Sequence, residues 1–347
     1  MSEIFGDSGS IPTISISIAP RKAVFNRFAQ LFGDALERIG AVAYQYEYGL
    51  RELAKANVII FHWPARLLIK PGLFQRSMTL ARLFIARKRH GLKLVWVAHN
   101  VMEHEGVDHP SVFERLLVQN LDGIIYLSQV SRPLVHAAYA VPEGVIEQVT
   151  VHGAYEISPP CPFAPPEPDG TAQLLSFGLV RPYKNLDELV AAAATLNPTG
   201  LEIVIRGRRH DRDYARALER IAAGSKAVRM DLRDDILSDE ELDVAIDNAH
   251  GVVLPYRQIL NSGSAIHALS RGRPVLVPAK GSMPELQKLM GERWVQLYEG
   301  ELTAQVLEAF AGHVRAIPAG AVPDLDRLSW DKVERDLAGF LDRLLDA

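Results

Sequence analysis

The sequence predicts an α/β protein made of two Rossmann-like lobes that face each other across a cleft. Three observations carry this expectation. The chain has 347 residues, about twice what one compact domain usually holds. Short β-rich runs alternate with segments of helical apolar spacing, the pattern of parallel βαβ units in a doubly wound sheet. Near the middle, Pro159, Pro160, Pro162, Pro165, Pro166 and Pro168 fall within ten residues. Such a stretch holds neither helix nor central strand and reads as a semi-rigid linker.

In the first lobe (residues 1–160) strands are expected at Thr13–Ala19, Val58–His62, Leu92–Ala98, Gly123–Leu127 and Ile146–Val151. Helices are expected at Phe25–Ile39, which ends at Gly40, and at Phe74–Arg89. The second lobe (161–328) restarts the alternation with strands at Gln173–Phe177, Leu201–Arg206, Ala227–Leu232, Val252–Tyr256 and Pro274–Pro278. Its helices are Leu186–Leu196, Tyr214–Ala223, Glu240–Ala249, Ser264–Arg271 and one starting at Glu285. Residues 329–347 hold a closing amphipathic helix, Asp331–Leu345, that could pack back on the first lobe. There is no internal repeat of 20–50 residues.

Composition narrows the function classes. Hydrophobic residues make up 48% and charged residues 23%, with a net charge of −4, so the chain is not a polybasic nucleic-acid coat. The second lobe is acidic and aromatic–basic interleaving is missing, which also argues against a nucleic-acid partner. A single cysteine, Cys161, excludes an internal disulfide and a multi-cysteine zinc site and fits a reducing cytoplasm. The polar start MSEIFGDSGS is no signal peptide, and apolar runs fall short of the roughly 20 residues a spanning helix needs. Asp211-x-Asp213 and Asp324-x-Asp326 read as solvated turns, so no metal and no other cofactor is expected.

In open α/β sheets ligands bind beyond the carboxyl ends of the strands, so the loops there are the places to search. Ser176–Asn185 follows the first strand of the second lobe and sets Arg181 and Lys184 beside a helix start. Two cations there suit a diphosphate; the alternative is a solvated loop. Leu254–Ser264 brings Tyr256, Asn261, Ser262, Gly263 and Ser264 to the next helix start, as an N-cap, an anion cradle or both. Val97–Glu105 follows a first-lobe strand and gathers His99, Asn100, Glu103, His104 and Glu105, with Asp108 just beyond. That is enough for a general base and an orienting partner, or for structural hydrogen bonds alone. His62 and Trp63 end another first-lobe strand on the same side.

Taken together, these motifs resemble a known family. FGLVRPYKN (177–185), VVLPYRQILNSGSAIHALSRGRPVLVP (252–278) and WVQLYEGEL (294–302) closely resemble glycosyltransferase family 94, the bacterial β-1,4-mannosyltransferases of xanthan assembly. FHWPARLL (61–68) and VAHNVMEHE (97–105) are looser matches. The resemblance implies a GT-B fold, with a nucleotide-sugar donor, GDP-mannose, on the second lobe. The acceptor it implies is a polyprenyl-diphosphate-linked oligosaccharide on the first lobe. It implies that Arg181 and Lys184 neutralise the donor diphosphate, with Ser262, Gly263 and Ser264 adding a helix start and Tyr256 and Asn261 beside them. His62, Trp63, His99 and Asn100 would meet the acceptor.

Two departures shape the mechanism. Retaining GT-B enzymes place two glutamates eight apart before a G-x-P-V phrase; counted back from Gly272–Val275, those positions are Ile259 and His267. This favours inversion by direct displacement, with Glu105 or His104 as base and Glu103 and Asp108 as reserves. The first-lobe motif also carries Glu103 where a proline is expected and lacks an Asn-Pro start near Asn26. The rival readings are a retaining GT-B enzyme, a transferase using UDP-glucose or UDP-glucuronate, and a non-catalytic nucleotide-sugar-binding protein.

The net charge hides a local feature. Between Leu53 and Met102 there is no Asp or Glu, yet nine Lys or Arg occur, interleaved with apolar residues. Arg66, Lys70, Phe74, Arg82, Phe84, Arg87, Lys88 and Arg89 form the expected surface for the anionic inner face of the cytoplasmic membrane, to which the protein would attach peripherally.

Overall fold

The computed structural model describes residues 14–22, 27–47, 49–64, 72–101, 110–155, 161–196 and 200–347. In the first lobe, strands β1 (Ser15–Ala19), β2 (Val42–Gln45), β3 (Val58–Phe61), β4 (Lys93–Ala98), β5 (Gly123–Tyr126) and β6 (Ile146–Val149) form one parallel sheet in the order β2-β1-β3-β4-β5-β6. The central strands are near-continuous apolar runs because helices cover both faces, and β3 and β5 are buried throughout. Those helices are α1 (Arg27–Arg38), α2 (Leu50–Leu53), α3 (Leu73–His90), α4 (Val112–Val118) and α5 (Ser131–Ala138). Gly91 ends α3 in the left-handed conformation, φ 69°. Ser111 and Glu114 start α4 with a reciprocal capping box.

The second lobe repeats the plan. Strands β7 (Ala172–Leu179), β8 (Leu201–Arg208), β9 (Val228–Arg233), β10 (Gly251–Val253), β11 (Val275–Pro278) and β12 (Val295–Tyr298) lie parallel in the order β12-β11-β10-β7-β8-β9. Helices α6 (Leu186–Ala194), α7 (Arg212–Ala222), α8 (Asp239–Asp247), α9 (Gly263–Ser270), α10 (Met283–Met290) and α11 (Ala304–Ala316) cover it. Strand order reverses between β7 and β10, which opens a crevice at their carboxyl ends.

Four first-lobe elements have no counterpart in the sequence reading: β2, α2, α4 and α5. β2 is an edge strand whose Val42 is 52% exposed, so its apolar signal is weak. The helices run only four to eight residues, too short for a clear 3.6-residue period.

The closing helix α12 (Trp330–Asp346) leaves the second lobe and packs on the first. Trp330, Val333, Leu337, Phe340, Leu341 and Leu344 share a buried cluster with Ile16, Phe28 and Phe32. Gly123 lies so close beneath it that a Cβ there would sit 2.6 Å from the Phe340 ring. The chain thus crosses between lobes twice, and the two crossings are bonded together. Ala154 N donates to Leu328 O at 2.8 Å and Phe163 N to Ala321 O at 3.0 Å. The described part of the proline-rich segment is therefore held against the second lobe, with Phe163 buried, rather than standing free as a spacer. Trp330 pins the junction by donating from Nε1 to Ala154 O at 2.7 Å. Trp330→Ala should destabilise the first lobe by about 3–5 kcal/mol, the usual cost of deleting a buried aromatic side chain. Denaturant unfolding followed by first-lobe tryptophan fluorescence will measure it.

Candidate active site

The crevice between the lobes holds a cleft of about 280 Å³ at the carboxyl ends of both sheets. Its second-lobe wall begins with the loop after β7. Gly178 (φ 101°) turns the chain where a Cβ would lie 2.8 Å from Lys184 Nζ. Gly207 on β8 must also lack a side chain, because its Cβ would lie 1.8 Å from Gly178 O. This close backbone approach leaves room for Lys184 to fold back, and its ammonium donates to Phe177 O at 2.9 Å. Lys184 is buried, and desolvation, then the nearby Arg181 charge, lowers its pKa to about 8.

Opposite lies the start of α9. Ser262 Oγ accepts from Ala265 N at 3.1 Å, a side-chain N-cap, and also pairs with the buried Tyr256 hydroxyl at 3.1 Å. Gly263 and Ser264 open the helix on the cleft surface, where unsatisfied N–H groups and the helix dipole favour an anion. A buried ammonium and a helix N-terminus thus converge on one space.

The first lobe supplies a histidine-rich wall. Trp63 stacks on His99 with centroids 4.8 Å apart. His99 Nε2 is bonded at 2.9 Å to Nδ1 of the fully buried His62, whose own Nε2 has no partner. Desolvation drives the His62 pKa down to about 3. His152 Nδ1 donates to Gly153 O at 3.0 Å, which leaves Nε2 as an acceptor near Gly263; burial lowers its pKa to about 4. Both rings are neutral hydrogen-bonding groups near pH 7, unsuited to holding a positive charge there.

The lobes are bonded across the cleft. Asn261 Nδ2 donates to His99 O at 3.2 Å, so the donor-side loop is tied to the wall that carries Trp63. Gln129 N and Val130 N, just before α5, donate to the Glu285 carboxylate of α10 at 2.9 and 3.4 Å. Arg27, the first residue of α1, reaches Asp239 at 3.5 Å and Asp243 at 3.7 Å on α8. On α9, His267 Nε2 meets Asp243 at 2.6 Å.

Among the residues singled out by sequence, the cleft gathers Trp63, His99, Asn100, Lys184, Tyr256, Asn261, Ser262, Gly263 and Ser264. His62 lies behind His99 rather than on the surface. Arg181 departs from expectation: it does not line the cleft, because its guanidinium is turned against the His210 ring at 3.0 Å. Arg208, at the end of β8, lines that wall instead. Glu103, His104, Glu105 and Asp108 lie outside the described residues, as do Arg66 and Lys70. Phe84 packs inward on the first-lobe core, and Arg87 is paired to Asp122 at 2.8 Å. Among the described residues no three His, Cys, Asp or Glu side chains are grouped to hold a metal.

Solved structures share this architecture. Anabaena HepE in complex with UDP superposes with a TM-score of 0.64 at 13% identity, covering 95% of this chain and all of that one. Sucrose-phosphate synthase of Thermosynechococcus elongatus gives 0.68 at 14%, covering 96% and 99%. In sequence the chain is similar to GDP-mannose:glycolipid 4-beta-D-mannosyltransferase of Xanthomonas campestris pv. campestris. The identity is 29%, over 94% of this chain and 93% of that protein. The chain is a glycosyltransferase of the GT-B fold. No protein-family model matches it.

The glycosyltransferase cleft also contains residues that motif reading missed: Arg27, His152, Tyr155, Arg208, Asp239 and His267. Half of these stand, like the other cleft loops, at or just beyond the carboxyl ends of strands. Arg208 is the last residue of β8, His152 follows β6 by three positions, and Asp239 opens the helix after β9. What sequence lacks is the lobe closure that brings Arg27 to α8.

The Lys184 shift gives a testable pH dependence. The diphosphate of a nucleotide-sugar carries no proton to lose above neutrality and its base loses one only at about pH 9, so around pH 8 the lysine is the titrating partner. Binding favours the ammonium form and raises its pKa above the free value of about 8. Affinity is therefore flat below pH 7.5 and falls as pH rises through 8, by at most tenfold per pH unit. Lys184→Arg should flatten the fall in calorimetric titrations from about pH 6.5 to 8.5.

Proposed function

We propose that this glycosyltransferase moves mannose from GDP-mannose to a polyprenyl-diphosphate-linked oligosaccharide, with inversion, in exopolysaccharide assembly. The observation that carries the reading is the convergence of Lys184 and the α9 start at the strand-order reversal, in a chain similar end to end to a GDP-mannose:glycolipid mannosyltransferase. Ile259 and His267, where retaining enzymes carry glutamates, support direct displacement.

In that displacement a base removes the proton of the acceptor hydroxyl as its oxygen attacks the anomeric carbon. The bond from that carbon to the diphosphate breaks, and its electron pair leaves on the diphosphate oxygen. Glu105 or His104 is the proposed base, with Glu103 and Asp108 beside it; the Asn100 that leads into this segment lines the cleft. Lys184, Arg208 and the Gly263 and Ser264 N–H groups meet the growing charge, and no metal is proposed to share that role. Trp63, braced on His99, offers an apolar face to an acceptor sugar ring. Nuclear magnetic resonance of the product should show a β-mannoside. Lys184→Ala should lower kcat by about 10²–10³-fold, as loss of one preorganised donor to a leaving group does. An α-mannoside, or full turnover in the variant, would refute the mechanism.

We further propose that α3 docks the first lobe on an anionic membrane. At 100° per residue, Phe74, Met78 and Ile85 fall within about 40° of one another on its outer face. Phe74 is 78% exposed, Leu73 beside it is exposed too, and Val112 and Leu116 are exposed apolar residues on α4. Arg82, Lys88 and Arg89 border the α3 face, a basic rim around an apolar stripe. Among the described residues no helix is long and apolar enough to cross a membrane. Flotation with anionic vesicles should recover the protein at low salt, lose much of it at high salt, and lose it fully for Phe74→Glu. Equal recovery of that variant would sink the assignment.

A further inference from the structure

The cleft does not end at the diphosphate cradle. It continues along the second lobe to a segment walled by Ile236, Leu237 and Leu242, after β9 and on α8. Trp63, His99 and Asn100 line it from the first lobe, beside the α9 loop, where Asn261 is bonded to His99 O. A nucleotide whose diphosphate lies between Lys184 and α9 therefore has its nucleoside on the α8 side. Ile236 is 40% exposed there, an apolar surface suited to the face of a base.

The polar groups of this end are distinctive. Asp239 and Asp243 are one helical turn apart on α8 and face the same way. Asp243 is committed to His267 at 2.6 Å and Arg271 at 3.5 Å. Asp239 lines the cleft with its side chain 53% exposed, and its ion-pair neighbour among the described residues is Arg27 at 3.5 Å, beyond a good hydrogen bond. An ionised carboxylate only accepts hydrogen bonds, through two oxygens side by side. The base edge that complements it must present two adjacent donors. Guanine does so with N1–H and N2–H₂. Uracil offers one donor flanked by carbonyl oxygens, and adenine and cytosine each pair an amino group with a bare ring nitrogen.

We propose that Asp239 reads the base of the donor nucleotide and selects guanine by accepting from N1–H and N2–H₂. This rests on the reading that the donor is a guanine nucleotide, and it makes Asp239 a specificity determinant rather than a catalytic group. Arg27 reaches Asp239 from the first lobe and stands beside the carboxylate.

Calorimetric titration of the full chain with GDP, IDP and UDP tests it, since IDP differs from GDP only in lacking the 2-amino group. The wild type should bind GDP about tenfold or more tightly than IDP, the size expected for one hydrogen bond to a charged group. In Asp239→Ala the two should bind within about twofold of each other, while an unchanged melting temperature and retained weaker binding of both nucleotides show that the cleft is intact. Asp239→Asn, which turns an amide donor toward guanine donors, should also weaken GDP selectively and serves if the alanine variant does not fold. A GDP preference over IDP that survives both substitutions overturns the role of Asp239 and leaves the donor reading standing. A wild type that binds UDP as well as GDP overturns the donor reading itself, and this inference with it.

Discussion

The bonded pair of crossings between the lobes is the constraint on which the rest depends. Ala154 to Leu328 and Phe163 to Ala321 join the outgoing and returning chain, and Trp330 clamps them from the first-lobe side. With two sheets held carboxyl end to carboxyl end, loops that are far apart in sequence share one crevice. A single flexible tether would leave the lobes free to turn, and Asn261 could not reach the carbonyl of His99. The cleft is therefore a product of the crossover as much as of its lining.

Within it, the two walls have opposite electrostatic character. The second-lobe wall holds a cation in a low-dielectric place with the carbonyl of Phe177 as its partner, so it is already desolvated before a ligand arrives. Such a charge needs little reorganisation when negative charge develops opposite it. The first-lobe wall does the reverse: burial keeps His62 and His152 uncharged, so their nitrogens serve as neutral hydrogen-bonding groups. Cationic rings there would compete for the leaving group and draw it toward the acceptor side. The division of labour between lobes is thus written in desolvation rather than in net charge.

Much of this was legible in the chain. Most second-lobe strands and helices declare themselves by clean periods, β12 and α11 being the two that the sequence reading lacks, and the α9 cap is visible as Asn261–Ser264 ahead of an apolar run. The first lobe is less legible because its edge strand is half exposed and three of its helices are short. Arg181 shows the limit of reading charges by position. It stands in the right loop, yet the extended backbone there (φ −144°) carries its side chain to His210, and Arg208 takes the place at the wall. Spacing specifies which loop a cation occupies; the local backbone and the side chain's partner specify where it points.

The return of α12 to the first lobe has a consequence for how the protein is made. The apolar stripe formed by Ile16, Phe28 and Phe32 is covered by residues 330–346, which are translated after the whole second lobe. Multidomain chains generally complete their amino-terminal unit first as synthesis proceeds. Here the lobe that emerges first cannot close its core until residues 330–346 have followed the second lobe. The buried cluster of the second lobe is built from residues that precede α12, so it can be completed while its predecessor waits partly uncovered. Biogenesis therefore runs in the reverse of reading order, and the first lobe is the one a chaperone would need to shield.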